Sequence, residues 1–181
     1  MAIMSYYKSL FTSSNLVDLE EVLDGVTRVV STKMNDQLIR DFTACEVEQA
    51  LFQMGPLKAP GPDGMSSIFY KKYWHIVWPD VTAGVLSCLR DGVPLKKINH
   101  TNICLIPKTQ NPLSTKDFCP ISLCNVVYKI VAKVLANRLK QVLPHVISET
   151  QSAFVLGRLI SDNILIAFKT LHYMHQMRQG Q

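Results

Sequence analysis

Residues 99–125 read NHTNICLIPKTQNPLSTKDFCPISLCN, and this stretch decides the fold. Thr101–Ile106 is a short apolar run of β type, closed by Pro107-Lys108. The segment TQNPLSTKD that follows is rich in turn formers and too polar to bury. Phe118–Leu123 is a second short apolar run, so a β-hairpin with a long tip is expected. Beyond Asn125, apolar residues at 127, 130, 131, 134, 135, 139 and 142, with Arg138 among them, recur at spacings of three and four. That periodicity predicts a strong helix over 126–142, with Asn125 as N-cap, Leu143-Pro144 as its end, and Arg138 and Lys140 in its last turns favouring the dipole.

Upstream, Thr43 and Glu46 form a capping box, flanked by Phe42 and Val47 as a hydrophobic staple. Val47, Ala50, Leu51 and Met54 make one apolar stripe, and Gly55-Pro56 ends that helix. KAPGPDG (58–64) is a stiff, defined loop, because two prolines preset φ while Gly61 and Gly64 allow conformations closed to other residues. Its spacing matches neither dinucleotide nor P-loop patterns. In SSIFYKKYWHIVW (66–78) aromatics alternate with lysines, and Phe69, Tyr73 and Ile76 are expected on a core stripe. Pro79 fits the first position of a following helix lined by Val81, Val85 and Leu89 and stopped by Gly92. Leu16, Leu19, Leu23, Val26 and Val30 give a weaker helical pattern interrupted by Gly25. A final helix carries Ile164, Leu165, Phe168 and Leu171, with Ser161 as its cap.

The 181 residues are 48% hydrophobic and 18% charged, a globular balance. Charged residues interrupt every helical stretch, so no membrane span is expected, and the start MAIMSYYKSLF lacks the pattern of a secretory signal. Five cysteines without a C-x-x-C pair suit reduced intracellular thiols, in cytoplasm or nucleus.

The net charge of +5 is unevenly spread. Residues 1–63 carry five Lys/Arg against nine Asp/Glu, a net of −4. Residues 90–140 carry nine against two, a net of +7. A basic half suggests an anionic partner, although each cation taken singly reads as a solvated surface charge. Lys108, Lys116, Lys129, Lys133 and Arg158 are the phosphate-contact candidates, and with the hairpin they favour nucleic acid.

Other constellations are poorer. His100, Cys104, Cys119 and Cys124 lack the tight pairs of a structural zinc site, and no signature supports a nucleophilic cysteine. After Asp63 the carboxylates are Asp80, Asp91, Asp117, Glu149 and Asp162, none adjacent to another. Two-metal phosphoryl transfer needs clustered carboxylates, so no catalytic residue and no metal ligand is assigned.

Four segments in order, LKAPGPDG (57–64), NHTNICLIPK (99–108), DF-C-PISLCNVVYKIVAKVLANRLK (117–140) and QSAFVLGRLISDNIL (151–165), resemble the reverse transcriptase of non-LTR retrotransposons, and most nearly the LINE-type elements of plant genomes. The likeness runs from about Thr43 to the end. It implies an α+β fold: the mostly helical fingers of a right-hand polymerase with a small antiparallel hairpin, the palm incomplete. Residues 1–40 would be a lead-in, 41–98 a helical N-terminal extension, and 99–181 the fingers and the start of the palm. RNA template and DNA primer are the implied partners, with Mg²⁺ in the intact enzyme and no cofactor in this fragment. The resemblance places Lys108 toward nucleotide phosphates or template, and Gln151, Arg158 and the loop containing Lys58 on the template side; Lys116, a candidate by its charge, joins them as a nucleotide- or template-binding residue. It also shows departures. Cys119 replaces the family Arg, removing an always-charged planar donor. Leu156 replaces a Pro, Lys169 replaces an acidic residue, and the family's catalytic Asp segments would lie beyond Gln181. An N-terminal fragment, inactive alone, is the expectation; a non-catalytic nucleic-acid-binding module and a degenerate remnant are the alternatives.

Overall fold

The structure is a computed structural model, described for residues 2–13, 19–92, 98–148, 150–152, 155 and 157–179. Leu16, Lys96, Lys97, Glu149 and Leu156 lie outside the described residues. Two compact units are present, one formed by residues 1–27 and 41–134, the other by 28–40 and 135–181.

The first unit contains α1 (Ala2–Leu10), α2 (Leu19–Asp24), α4 (Ala44–Phe52), α5 (Ser67–Lys72), α6 (Trp74–Asp91), β1 (Asn102–Pro107), β2 (Phe118–Leu123) and the beginning of α7 (Val126–Val146). α4 begins as its sequence predicts. The Thr43 hydroxyl accepts from Glu46 N at 3.4 Å, and the Glu46 carboxylate accepts from Thr43 N at 3.0 Å. Val47, Ala50 and Leu51 of α4, Val81 and Val85 of α6, and Val126, Ile130 and Val134 of α7 form one buried cluster, with Phe42 and Met54 against it. Each fully buried Val, Leu or Ile contributes about 1.5–3 kcal/mol, so this cluster is what holds three helices together.

Two expectations for the aromatic segment are corrected. The helix breaks at Tyr73, whose carbonyl receives both Ile76 N (2.9 Å) and Val77 N (3.1 Å), and α6 starts at Trp74 rather than Pro79. Pro79 sits inside α6 on an exposed side, where the His75 carbonyl it leaves without a helical donor can meet water. The break also resets the helical phase. Tyr70, Trp74 and Val77 therefore pack on the core, while Ile76 is 63% exposed and Tyr73 is 39% exposed. Gly92 ends α6 in the left-handed conformation (φ 59°) that favours glycine.

β1 and β2 pair antiparallel, with Asn102 opposite Leu123 and Pro107 opposite Phe118. The expected hairpin is present. α1 lies along it, enclosing with Ile103 and Leu105 an apolar cleft of about 500 Å³. Burial pushes the Tyr7 phenol of α1 above its ordinary value, and its hydroxyl donates to Thr115 O at 3.4 Å. α2 stops at Asp24, just before Gly25.

The second unit contains α3 (Thr32–Ile39), the remainder of α7, and α8 (Ile160–Gln179). α3 is capped by the Ser31 hydroxyl, which accepts from Met34 N at 3.3 Å. α7 continues through Pro144 to Val146 instead of ending at Leu143. Arg138, only 4% exposed, donates from Nη1 to Leu38 O (2.9 Å) and to Arg40 O, so it fastens the end of α3 rather than serving the helix dipole. α8 begins one residue before the expected cap. Asp162, not Ser161, closes it by accepting from Leu159 N at 3.0 Å. Its apolar residues Ile164, Leu165, Phe168 and Leu171 are all more than half exposed.

Candidate nucleic-acid interface

The hairpin mouth is built by Asp117. Its carbonyl accepts from Lys108 N at 2.7 Å, closing the strands beyond the last pair. Its carboxylate accepts from Leu113 N (3.0 Å) and Ser114 N (2.8 Å), folding the tip into a short 3₁₀ turn at Thr115–Asp117. Sequence reasoning passed over Asp117 as a turn former, yet S-T-K-D (114–117) carries the spacing of a capping box.

This fold brings Lys108 and Lys116 together. The Lys108 ammonium donates to Lys116 O at 3.0 Å, and both side chains are exposed. One of the three N–H groups of Lys108 is thus spent on the backbone, which fixes the charge at the lip and leaves two donors for a ligand. Cys119 is exposed and pairs with Ile106, one register step in from the mouth.

The loop at 58–64 reaches the start of α7. Asn125 does not cap α7 with its side chain; its backbone carbonyl takes the first helical bond from Lys129 N (3.1 Å). The side-chain amide turns to the loop instead, accepting from Asp63 N and donating to Ile98 O, both at 3.4 Å. Lys129 donates its ammonium to Ala59 O at 2.7 Å. Lys129 is therefore a loop clip, while Lys58, one residue away, stays exposed. Lys133 is half-buried on α7.

In the second unit Arg158 and Gln151 are brought together, but through the backbone. Arg158 Nη1 donates to Gln151 O (2.9 Å) and to Ser148 O, which ties these three residues together. Asn163 adds a bond to Thr150 O at 2.8 Å. The Gln151 residue is exposed.

Among the described residues no group of three or more His, Cys, Asp or Glu could hold a metal ion, so the donors described do not fit Mg²⁺. Among the same residues no helix is long and apolar enough to cross a membrane.

No family model matches the chain. It is similar, at 34% identity over 171 residues, to a Xenopus laevis protein described as the transposon TX1 uncharacterized 149 kDa protein. The match covers 93% of this chain and 13% of that protein, so the chain spans about an eighth of the relative's length. This similarity supports a transposon-derived origin.

Proposed function

We propose that the chain is part of the RNA-directed DNA polymerase of a LINE-type non-LTR retrotransposon, as its motifs suggest, contributing the fingers and the approach to the palm. One observation carries this reading furthest. Two motif segments more than sixty residues apart, KAPGPDG and the start of α7, meet through Asn125 and Lys129. Motifs that share a working surface should converge in this way. The similarity to a transposon protein along nearly the whole chain supports the same reading. In it, Lys108, Lys116 and Lys58 offer exposed cations to phosphates of an RNA template or DNA primer, an interaction that salt weakens by counterion release. Catalytic carboxylates and their Mg²⁺ would come from elsewhere, and the 181-residue chain would not incorporate nucleotides.

Fluorescence anisotropy with a labelled RNA–DNA primer-template tests the proposal. Affinity should fall steeply between 50 and 200 mM salt. Binding indifferent to salt would count against it, and template-dependent incorporation by the chain alone would overturn the statement that it is inactive.

A second reading is a remnant without activity, favoured by the exposed apolar residues of α8. It expects dye-binding apolar surface and no saturable affinity for primer-template.

A further inference from the structure

Between α4 and α6 lies a cleft of about 360 Å³ lined by Ala44, Cys45, Glu48, Trp74, Trp78 and Thr82. Its chemistry is unusual for a groove between two helices. Trp74 and Trp78 stand one turn apart on α6 and are the only tryptophans in the chain. Glu48 faces them from α4, its carboxylate accepting from Trp74 Nε1 at 3.0 Å, and this leaves most of its acceptor capacity unused. Thr82 lines the same cleft, is 6% exposed, and its hydroxyl has no hydrogen-bond partner. Such an orphan costs about 1–3 kcal/mol, so an N–H donor reaching it would remove a standing penalty.

We propose that this cleft receives an arginine side chain presented by a basic peptide. Indole faces attract cations, most strongly when these lie over the ring. A guanidinium is planar, weakly hydrated and carries a fork of N–H donors, so it can stack on an indole while donating to Glu48 and toward Thr82. An ammonium is compact and strongly hydrated, and gains less from the same walls. An apolar side chain would cover a carboxylate without pairing it. Charge agrees. Glu48 supplies a carboxylate to the cleft, and no Lys, Arg or His is among the residues that line it. Arg90, which reaches α4, donates to Phe42 O at 2.8 Å, and the Lys71 ammonium is held by Phe52 O and Met54 O. This inference does not rest on the polymerase reading.

Because both tryptophans line the cleft, intrinsic fluorescence of the full chain reports on it directly. Titration with N-acetyl-arginine amide should change the emission saturably, with a Kd on the order of 1 mM for so small a probe. The citrulline analogue, which is neutral and nearly isosteric, should give no saturable change. Glu48→Gln keeps an acceptor for Trp74 and should weaken arginine binding at least tenfold. Thr82→Val should also weaken it while leaving the thermal midpoint unchanged or raised, a combination that a purely structural role does not produce. Equal binding of citrulline, equal binding of N-acetyl-lysine amide, an unaffected Glu48→Gln variant, or no saturation with arginine would each overturn the proposal.

Discussion

Gly61 packs directly against Asn125. A methyl group at Gly61 would stand 2.5 Å from the Asn125 backbone nitrogen and 2.7 Å from its Cα, and would also strike its side-chain oxygen. Glycine is needed here for close approach, not for an unusual φ. Gly61→Ala must displace the loop from α7 and strain the bond from Asp63 N. Overpacking of this kind costs about 1–3 kcal/mol. Thermal melts should show a midpoint several degrees lower, and primer-template affinity should fall with it if Lys58 works from this loop. Asn125→Ala should loosen the loop by a different route, and an unchanged midpoint in both variants would sink the account.

Thr82→Val is expected to stabilise the chain. The substitution keeps the side chain's shape and deletes a buried hydroxyl without a partner. The gain should be about 1 kcal/mol, read as a higher urea midpoint at constant slope. A loss of stability would mean that the hydroxyl is satisfied by water.

Arg138→Ala should destabilise the second unit by about 2–4 kcal/mol, because the carbonyls of Leu38 and Arg40 lose a shared charged donor and a buried volume empties. Arg138→Lys should recover only part, since one ammonium cannot reproduce the planar fork. Amide exchange in α3 should quicken in both. Protection equal to wild type would show that α3 does not depend on this contact.

Burial pushes the Cys88 thiol above its ordinary value, and Asp91 adds to the rise against an opposing backbone hydrogen bond. A raised pKa means less thiolate at any given pH below it. Alkylation near pH 8 should therefore label Cys88 more slowly than the exposed Cys45, Cys104 and Cys119, and the gap should narrow as pH rises. Cys88 reacting first at pH 8 would contradict this.

Local chemistry was legible in the sequence where one residue type dictates one geometry. Thr43 with Glu46, the β1–β2 hairpin and Gly92 all formed as their residues require. Misreadings arose where a distant segment competed for a group with an apparent local use. Asn125 does hold the cap position before α7, but its amide serves residues 63 and 98 instead of the helix. Arg138 reads as a dipole partner, but carbonyls a hundred residues away take its donors. Spacing along a chain carries no information about such long-range partners. Likewise the Trp74–Glu48 pair spans 26 residues and left no local pattern to find.

Lys108 and Cys119 provide the sharpest test of the proposed interface. Lys108 is held at the hairpin lip by its bond to Lys116 O, and Cys119 pairs with Ile106 just inside. Lys108→Ala should weaken primer-template binding and lower the slope of log affinity against log salt by about 1, the signature of one lost phosphate contact. The fold should survive, because the strand pairing uses the Lys108 backbone N–H and not its ammonium. Cys119→Arg adds an exposed guanidinium one register step in from Lys108. It should tighten binding and steepen the same slope by about 1. If Lys108→Ala leaves both affinity and slope unchanged, the hairpin does not touch the phosphates. If only Cys119→Arg has no effect, Lys108 still binds and position 119 does not reach the phosphates.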